Sequence, residues 1–202
     1  MTSHTMSPSE TFVLGAADPE MEAIERLLRE AGAHVIYALG PDGARVRPAD
    51  AYRVADLSEP IPAGATVYRV ECDGPAIPTD AVVIDHHRPG DPGYGQPPDE
   101  FLPASSLGQV IAVLGQVATY PAEWQRVAVP RHPHWCGAIE RHRGVWVART
   151  AGEEGDPGQD SEETATAVVI PTEYVLAAAA DHCLAAAYRG ECPGIDPDAL
   201  MR

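Results

Sequence analysis

The chain is expected to fold as an α/β protein, a parallel Rossmann-like sheet with helices on both faces, and three observations predict it. A strand–helix–strand series occupies residues 12–39, and that order implies a right-handed parallel crossover. Two later apolar runs, 66–70 and 81–84, read as further strands, each closed by a polar cluster. The composition, 45% apolar and 22% charged over 202 residues, is that of a packed globule.

Taken in order, residues 1–11 are polar and read as a flexible N-terminus. Phe12-Val13-Leu14-Gly15 is a short apolar run ended by glycine, the pattern of a buried strand. Asp18-Pro19-Glu20 then opens a helix, with Asp18 as N-cap and Pro19 in the first position. Ile24, Leu27, Leu28 and Ala31 keep helical spacing, and Gly32 stops it before a strand at 34–39. Residues 40–65 are a proline- and glycine-punctuated loop with at most a brief strand. The strand 66–70 ends at Glu71-Cys72-Asp73-Gly74, and the strand 81–84 ends at Asp85-His86-His87. After a loop over 88–103, Ser105 or Ser106 caps a helix through Val110, Ile111, Val113 and Leu114. Residues 120–143 give no decisive pattern. A strand at 144–150, an acidic glycine-bearing loop at 151–163, a final strand at 167–170 and an alanine-rich helix at 172–188 complete the series. The expectation is one domain over 12–188. The tail 189–202 carries a helix-start signature in Asp196-Pro197-Asp198-Ala199-Leu200 and reads as the beginning of a missing C-terminal segment.

Lysine and arginine total 14 against 30 aspartate and glutamate, a formal charge of −16. Such a surface repels phosphate polymers, so duplex nucleic acid is not an expected partner, although bound cations would let the chain handle phosphates. No apolar run approaches the roughly 20 residues that cross a bilayer, and residues 1–10 lack both the basic start and the apolar stretch of an export signal. Cys72, Cys136, Cys183 and Cys192 form no CxxC pair and read as reduced thiols, which makes cytoplasmic residence the expectation.

Chemistry concentrates where strands end, because open parallel sheets place their ligands beyond the C-terminal edge. Three such ends carry acids or imidazoles: Asp18, Glu20 and Glu22 after the first strand, Asp73 after the third, and Asp85-His86-His87 after the fourth. Oxygen ligands suit hard divalent cations, and imidazole shifts the preference towards manganese, iron or zinc. Two such ions about 3.5–4 Å apart activate a bridging water and clamp a phosphoryl group for in-line displacement. The plainer alternative for each piece is structural. Acids are favoured in a first helical turn by the macrodipole, and Asp73-Gly74-Pro75 reads equally as a turn.

The three motifs in this order resemble those of the DHH phosphoesterase superfamily, named for its Asp-His-His. In that family a strand and a histidine precede Asn-Pro-Asp-Gly-Asp-Ala-Ile or a variant, and Asp18-Pro19-Glu20-Met21-Glu22-Ala23-Ile24 falls into that register. Asp73 matches the aspartate that ends a strand. Asp85-His86-His87 matches the signature itself, followed by a serine-capped helix at Ala104-Ser105-Ser106-Leu107-Gly108. Asp181, after a run of small residues, matches the later metal-binding aspartate. The likeness covers roughly residues 12–118. It implies that Asp73 bridges two ions, that Glu20 ligates one, and that Glu22, His86 and Asp181 ligate the other. By the same resemblance His87 contacts the scissile phosphate and Asp85 orients a histidine. Three departures stand out: Ala16 replaces the family histidine, both first-motif aspartates are glutamates, and the usual C-terminal substrate domain is absent.

The function so implied is a divalent-metal-dependent phosphoesterase, with one or two ions, manganese first and magnesium second. Its substrate would be a small nucleotide, a short single-stranded oligonucleotide end or another phosphorylated metabolite. Catalysis falls to Asp85 and His87, and substrate binding to His87, Ser105, Ser106 and Arg131. A homodimer is compatible with this reading. The alternative is a catalytically degenerate nucleotide- or metal-binding protein on the same scaffold. Elsewhere, His132, His134, Cys136 and His142 offer nitrogen and sulfur donors but match no familiar zinc spacing. Arg131, Arg141 and Arg143 form a basic lip in an acidic chain. His182 and Cys183 are adjacent helical positions and cannot face each other as a nucleophile pair. Gly90, Gly93 and Gly95 are followed by no Gly-Lys-Ser/Thr and so make no P-loop.

Overall fold

In the computed structural model, which describes residues 10–116, 120–130, 139–149 and 164–201, the chain is α/β with two sheets. The first strand, β1 (Glu10–Leu14), is central in a five-stranded sheet. β2 (His34–Leu39) lies parallel on one side of it, and β4 (Thr66–Val70) lies parallel on the other. β5 (Val82–Ile84) extends the sheet beyond β4, and the brief β3 (Asp56–Leu57) pairs antiparallel with β2 at the far edge. Glu10 and Thr11, expected in a flexible terminus, instead begin β1, where Thr11 is fully buried. The reason is register: Glu10 stands opposite Thr66, so β4 reaches far enough to pair with it.

Alternation along β1 sends Phe12 and Leu14 to one face and Val13 to the other, and all three are fully buried. Under the first face lie α1 (Pro19–Glu30), α3 (Ser106–Gln116) and α4 (Thr172–His182), through Ile24, Leu27, Leu107, Ile111, Ala178 and Ala179. The second face is covered differently. Val46, Ala51, Val54 and Ile77, from the irregular segments on either side of β3 and β4, close over Val13, Ile36 and Cys72. The expectation of helices on both faces is therefore corrected: the proline-rich stretch 40–65 supplies a loop cover where a helix would stand.

The segment that gave no decisive pattern makes half of a second sheet. β6 (Arg126–Pro130), β7 (Ile139–His142), β8 (Val145–Arg149) and β9 (Thr164–Val169) pair antiparallel in the order β6-β9-β8-β7. A single parallel sheet is thus too simple. Ile139, Trp146, Ala148 and Val168 join the helix-side core, so the helices are packed between the two sheets. The acidic loop read at 151–163 lies outside the described residues.

The helix read over 172–188 is two pieces, α4 and α5 (Leu184–Tyr188), parted at Cys183, whose backbone leaves the helical region at φ −141°. Cys183 and Cys192 are paired as a disulfide, which corrects the reading of four separate thiols; Cys72 is a buried thiol. A short helix, α2 (Phe101–Ala104), precedes α3. No described helix is long and apolar enough to cross a membrane.

Candidate metal centre

The chain runs from β1 out to β2 and then back across β1 to β4, so the strand order switches direction at β1. A crevice opens at such a point beyond the strand C-termini, and here the polar residues gather. β1 leads through Asp18 to Glu20 in the first turn of α1, β4 delivers Glu71, and β5 delivers Asp85-His86-His87. Asp181, near the end of α4, closes the group from across the core. Glu71, His86, His87 and Asp181 each offer one ligand atom, and these four atoms all lie within 4.8 Å of one another.

Each imidazole is held from behind. His86 Nδ1 is 3.1 Å from Ser106 Oγ, which leaves Nε2 to meet Asp181 Oδ2 at 2.8 Å. His87 Nδ1 is 3.1 Å from Asp85 Oδ1. Asp85 is fully buried and also accepts from the Tyr52 hydroxyl at 3.0 Å and from the His86 and His87 amides at 2.8 and 3.1 Å. The Gln109 side chain ties this turn to α3, donating to the Asp85 carbonyl at 3.0 Å and to the Ala104 carbonyl at 2.9 Å. Gly93 is demanded by close approach: a Cβ there would stand 1.9 Å from the Ala104 carbonyl oxygen and 2.8 Å from His86 Cβ.

Two of the carboxylates, Glu20 and Glu71, are deeply buried and short of partners. Glu20 is 1% exposed; its Oε1 accepts from the Leu107 amide at 3.1 Å, and its Oε2 has no partner. Glu71 is 6% exposed, with Oε1 unpartnered, 3.8 Å from His86 Nδ1 and 3.9 Å from His87 Nδ1. Its backbone is in the left-handed region at φ 49°, a conformation that costs on the order of 1–3 kcal/mol in a residue with a side chain. Burial, then the nearby Glu71 and Asp181, hold the Glu20 carboxyl far above its ordinary range. Burial likewise raises Glu71 to about 6, against a hydrogen bond from Ser106 and the charge of His87. Burial pushes Asp85 up, but bonds from His87 and Tyr52 outweigh it and leave the group below its usual value. Asp181 is lowered in the same way, by His86 against burial. The hydrogen bond to Asp85 raises His87 to about 9, whereas burial and the proximity of His86 lower His182.

These residues could hold a metal ion. Among the described residues the ion pairs of Glu71 and Asp181 run only to His86 and His87, and buried carboxylate oxygens without partners are costly. Histidines whose rear nitrogens are fixed by a hydroxyl and a carboxylate are oriented as metal ligands characteristically are.

Of the residues expected at the site, Glu20, Asp85, His86, His87, Ser106 and Asp181 converge. Asp73 does not. Its backbone is tied to the loop beneath the sheet, through Ala51 and Val54, and its carboxylate turns out to Arg69 at 3.4 Å and Arg88 at 3.7 Å. Glu71, two residues earlier, takes the place expected of Asp73. Glu22 is exposed on the opposite side of α1, since two residues turn a helix by about 200°. Ser105 and Ser106 are fully buried and structural. Ser105 Oγ accepts from the Gly108 amide at 3.0 Å, capping α3, and Ser106 steadies His86, so neither lies open to substrate. Arg131, His132, His134 and Cys136 lie outside the described residues. Arg141 is in β7 and donates to the Gly144 carbonyl at 3.2 Å. Glu71, Tyr52 and Gln109 went unread. Glu71 had one signal, its place directly after the apolar run; the other two had none.

Compared with known proteins, the chain matches no family model, no curated protein and no solved structure.

Proposed function

We propose that the chain is a divalent-metal-dependent phosphoesterase of the DHH kind, acting on a small nucleotide, an oligonucleotide end or another phosphorylated metabolite. One observation carries the reading: the buried, unpartnered Glu71 Oε1 lies among imidazole and carboxylate donors at the rim where a parallel sheet changes direction. Glu71, His86 and Asp181 would hold the ion, with Glu20 beside them and manganese the first candidate. A bound divalent ion would polarise the phosphoryl oxygens and make a water nucleophilic near neutral pH. His87 has the most exposed side chain of the four, at 43%, and its Nδ1 proton is held by Asp85. Its outer nitrogen is therefore directed to donate to a phosphoryl oxygen. Asp85 fixes that ring and, through the two amides it accepts, the whole turn. The −16 chain would bring the phosphate in by this one cationic spot.

A second reading is a catalytically degenerate nucleotide- or metal-binding protein. With Asp73 turned to Arg69 and Arg88 and Glu22 exposed, the converging ligands serve one centre, not two. The test is hydrolysis of a chromogenic phosphodiester and of short oligonucleotides with manganese, beside a variant with Asp85, His86 and His87 all changed to alanine. Metal-dependent turnover that the variant lacks supports the enzyme. Bound manganese without turnover supports the second reading; no bound metal overturns the enzyme and the metal-binding form of the second reading, and no nucleotide bound in calorimetric titration then overturns the rest of it.

A further inference from the structure

We propose that Arg45 and Arg47 form a second anion subsite on the same rim, which takes a phosphate of the substrate other than the one at the metal. The inference rests on the phosphoesterase reading and narrows its substrate to a molecule carrying at least two phosphate groups.

β1 and β2 are parallel, so Gly15 and Gly40, the residues that follow them, lie at the same edge of the sheet. From Gly40 the chain makes a tight turn, with the Gly40 amide donating to the Ala44 carbonyl at 2.9 Å and Arg45 bridged back to Leu39. A cleft of about 330 Å³ opens here, lined by Gly40, Pro41, Asp42, Arg45, Arg47 and Asp50 among others. That volume suits a small ligand or one portion of a larger one. Arg45 joins the cleft to the metal centre. Its Nε donates to the Gly15 carbonyl at 2.8 Å, and Gly15 is pressed against Glu71, where a Cβ would stand 2.4 Å from the Glu71 carbonyl oxygen. The Arg45 guanidinium is held from two further sides, by Glu25 Oε2 at 3.3 Å and by the Tyr37 ring at 4.6 Å, yet its Nη2 is buried without an acceptor. A fixed planar fork with a spare donor suits a phosphate oxygen.

The charges of the cleft are spent unevenly. Asp42 Oδ1 accepts from the Ala44 amide at 3.1 Å, and Asp50 pairs with Arg53 at 3.8 Å. Arg47 is exposed and makes no hydrogen bond or ion pair among the described residues. Residues 40–53 carry three arginines against two aspartates, in a chain whose 30 acids outnumber its 14 bases. The local excess is positive where the remaining surface repels anions, and it lies across the end of β1 from His87.

The test is calorimetric titration of the manganese-loaded full chain with thymidine 5′-phosphate and thymidine 3′,5′-bisphosphate, for the unaltered protein, Arg47→Ala and Arg45→Lys. The unaltered chain should bind the bisphosphate at least ~10-fold more tightly than the monophosphate. Each variant should lose most of that advantage, Arg45→Lys because an ammonium keeps the charge without the fork, while manganese content and monophosphate affinity barely move. No advantage in the unaltered chain, or a full advantage in both variants, would overturn the inference. A readout independent of metal and of variant folding is the arginine side-chain nitrogen-15 spectrum of the metal-free chain on adding inorganic phosphate. The Arg45 Nε resonance should shift, and a resonance that stays put counts against the subsite. If the chain takes up no manganese, the metal-centre reading fails and the arginine spectrum alone decides the subsite; if it takes up manganese and the second phosphate adds nothing, only this inference fails.

Discussion

Glu71 and Asp73 stand two residues apart on the turn that leaves β4, yet one faces two histidines and the other two arginines. Around Asp73 the charges cancel locally. Arg69 and Arg88 flank it, Arg88 also approaches Asp91 at 3.6 Å, and the Tyr52 ring lies 3.7 Å beneath the Arg88 guanidinium. Its side chain is 44% exposed, where an ion pair adds little. Around Glu71 the balance is open: Glu20, Glu71 and Asp181 lie close together, and among the described residues the ion pairs of Glu71 and Asp181 run only to imidazoles. At an effective dielectric near 20, like charges about 4 Å apart repel by roughly 4 kcal/mol. The outer group is complete as folded, while the inner group needs protons or a metal. An acid's value as a ligand is thus decided by what the protein leaves unpaired, not by its place in a motif.

The sharpest way to break that contrast is Glu71→Gln. It should abolish manganese uptake, measured by elemental analysis, and yet raise the melting temperature of the metal-free protein at pH 8, because a buried unpaired charge is gone. Retained stoichiometric metal, or a lower melting temperature, contradicts the assignment. Next, Asp85→Asn should weaken manganese about 10–100-fold by loosening the turn that carries His86, and, by unfixing His87, should bring the His87 pKa down from about 9 towards its ordinary value, followed by proton NMR.

The pH dependence should follow from the raised groups of the site, Glu71 and His87 among them. Glu71, at about 6, titrates above its unfolded value, so its stabilisation is full below the ordinary carboxylate range and is lost as pH rises through 6. His87 has the same sign, with stabilisation present below about 6.5 and lost through about 9. Metal-free protein should therefore lose stability between pH 5 and 9. Manganese affinity should rise as pH passes through about 6, since the ion displaces the Glu71 proton. Thermal melts with and without metal check both, and a metal effect independent of pH argues against protons and cation sharing these ligands. The smallest effect is expected at the other acid: Asp73→Asn should leave metal content unchanged and shift stability by no more than ~1 kcal/mol in denaturant titration.

Much of this was legible from residue order. Asp18, Pro19 and the spacing of Ile24, Leu27 and Leu28 announce α1, and the continuous apolar run Phe12-Val13-Leu14 announces a buried strand. Asp85-His86-His87 and Glu20 could be named because chemistry just after a strand is a local signal, whereas Asp181, on α4, was implied by the family resemblance alone. Helical phase alone would have separated Glu20 from Glu22. The exchange of Asp73 for Glu71 was not legible, because it depends on a left-handed backbone at Glu71 and on the anchoring of Asp73 to Ala51 and Val54, both tertiary in origin. Of the second sheet, β8 and β9 match the strands read at 144–150 and 167–170, while β6 and β7 were obscure because both are short and β7 is mostly charged or polar, with a tight Arg143-Gly144 turn joining it to β8.

The position of Asp181 has a consequence for how the protein matures. The acids and histidines that follow β1, β4 and β5 come early in the sequence, while Asp181, which closes the group, lies much further along, on α4. A ribosome-bound chain can shape most of the basin but cannot shut it before α4 emerges. Ion capture would thereby wait on that helix, and a bound ion would act as a staple between segments distant in sequence.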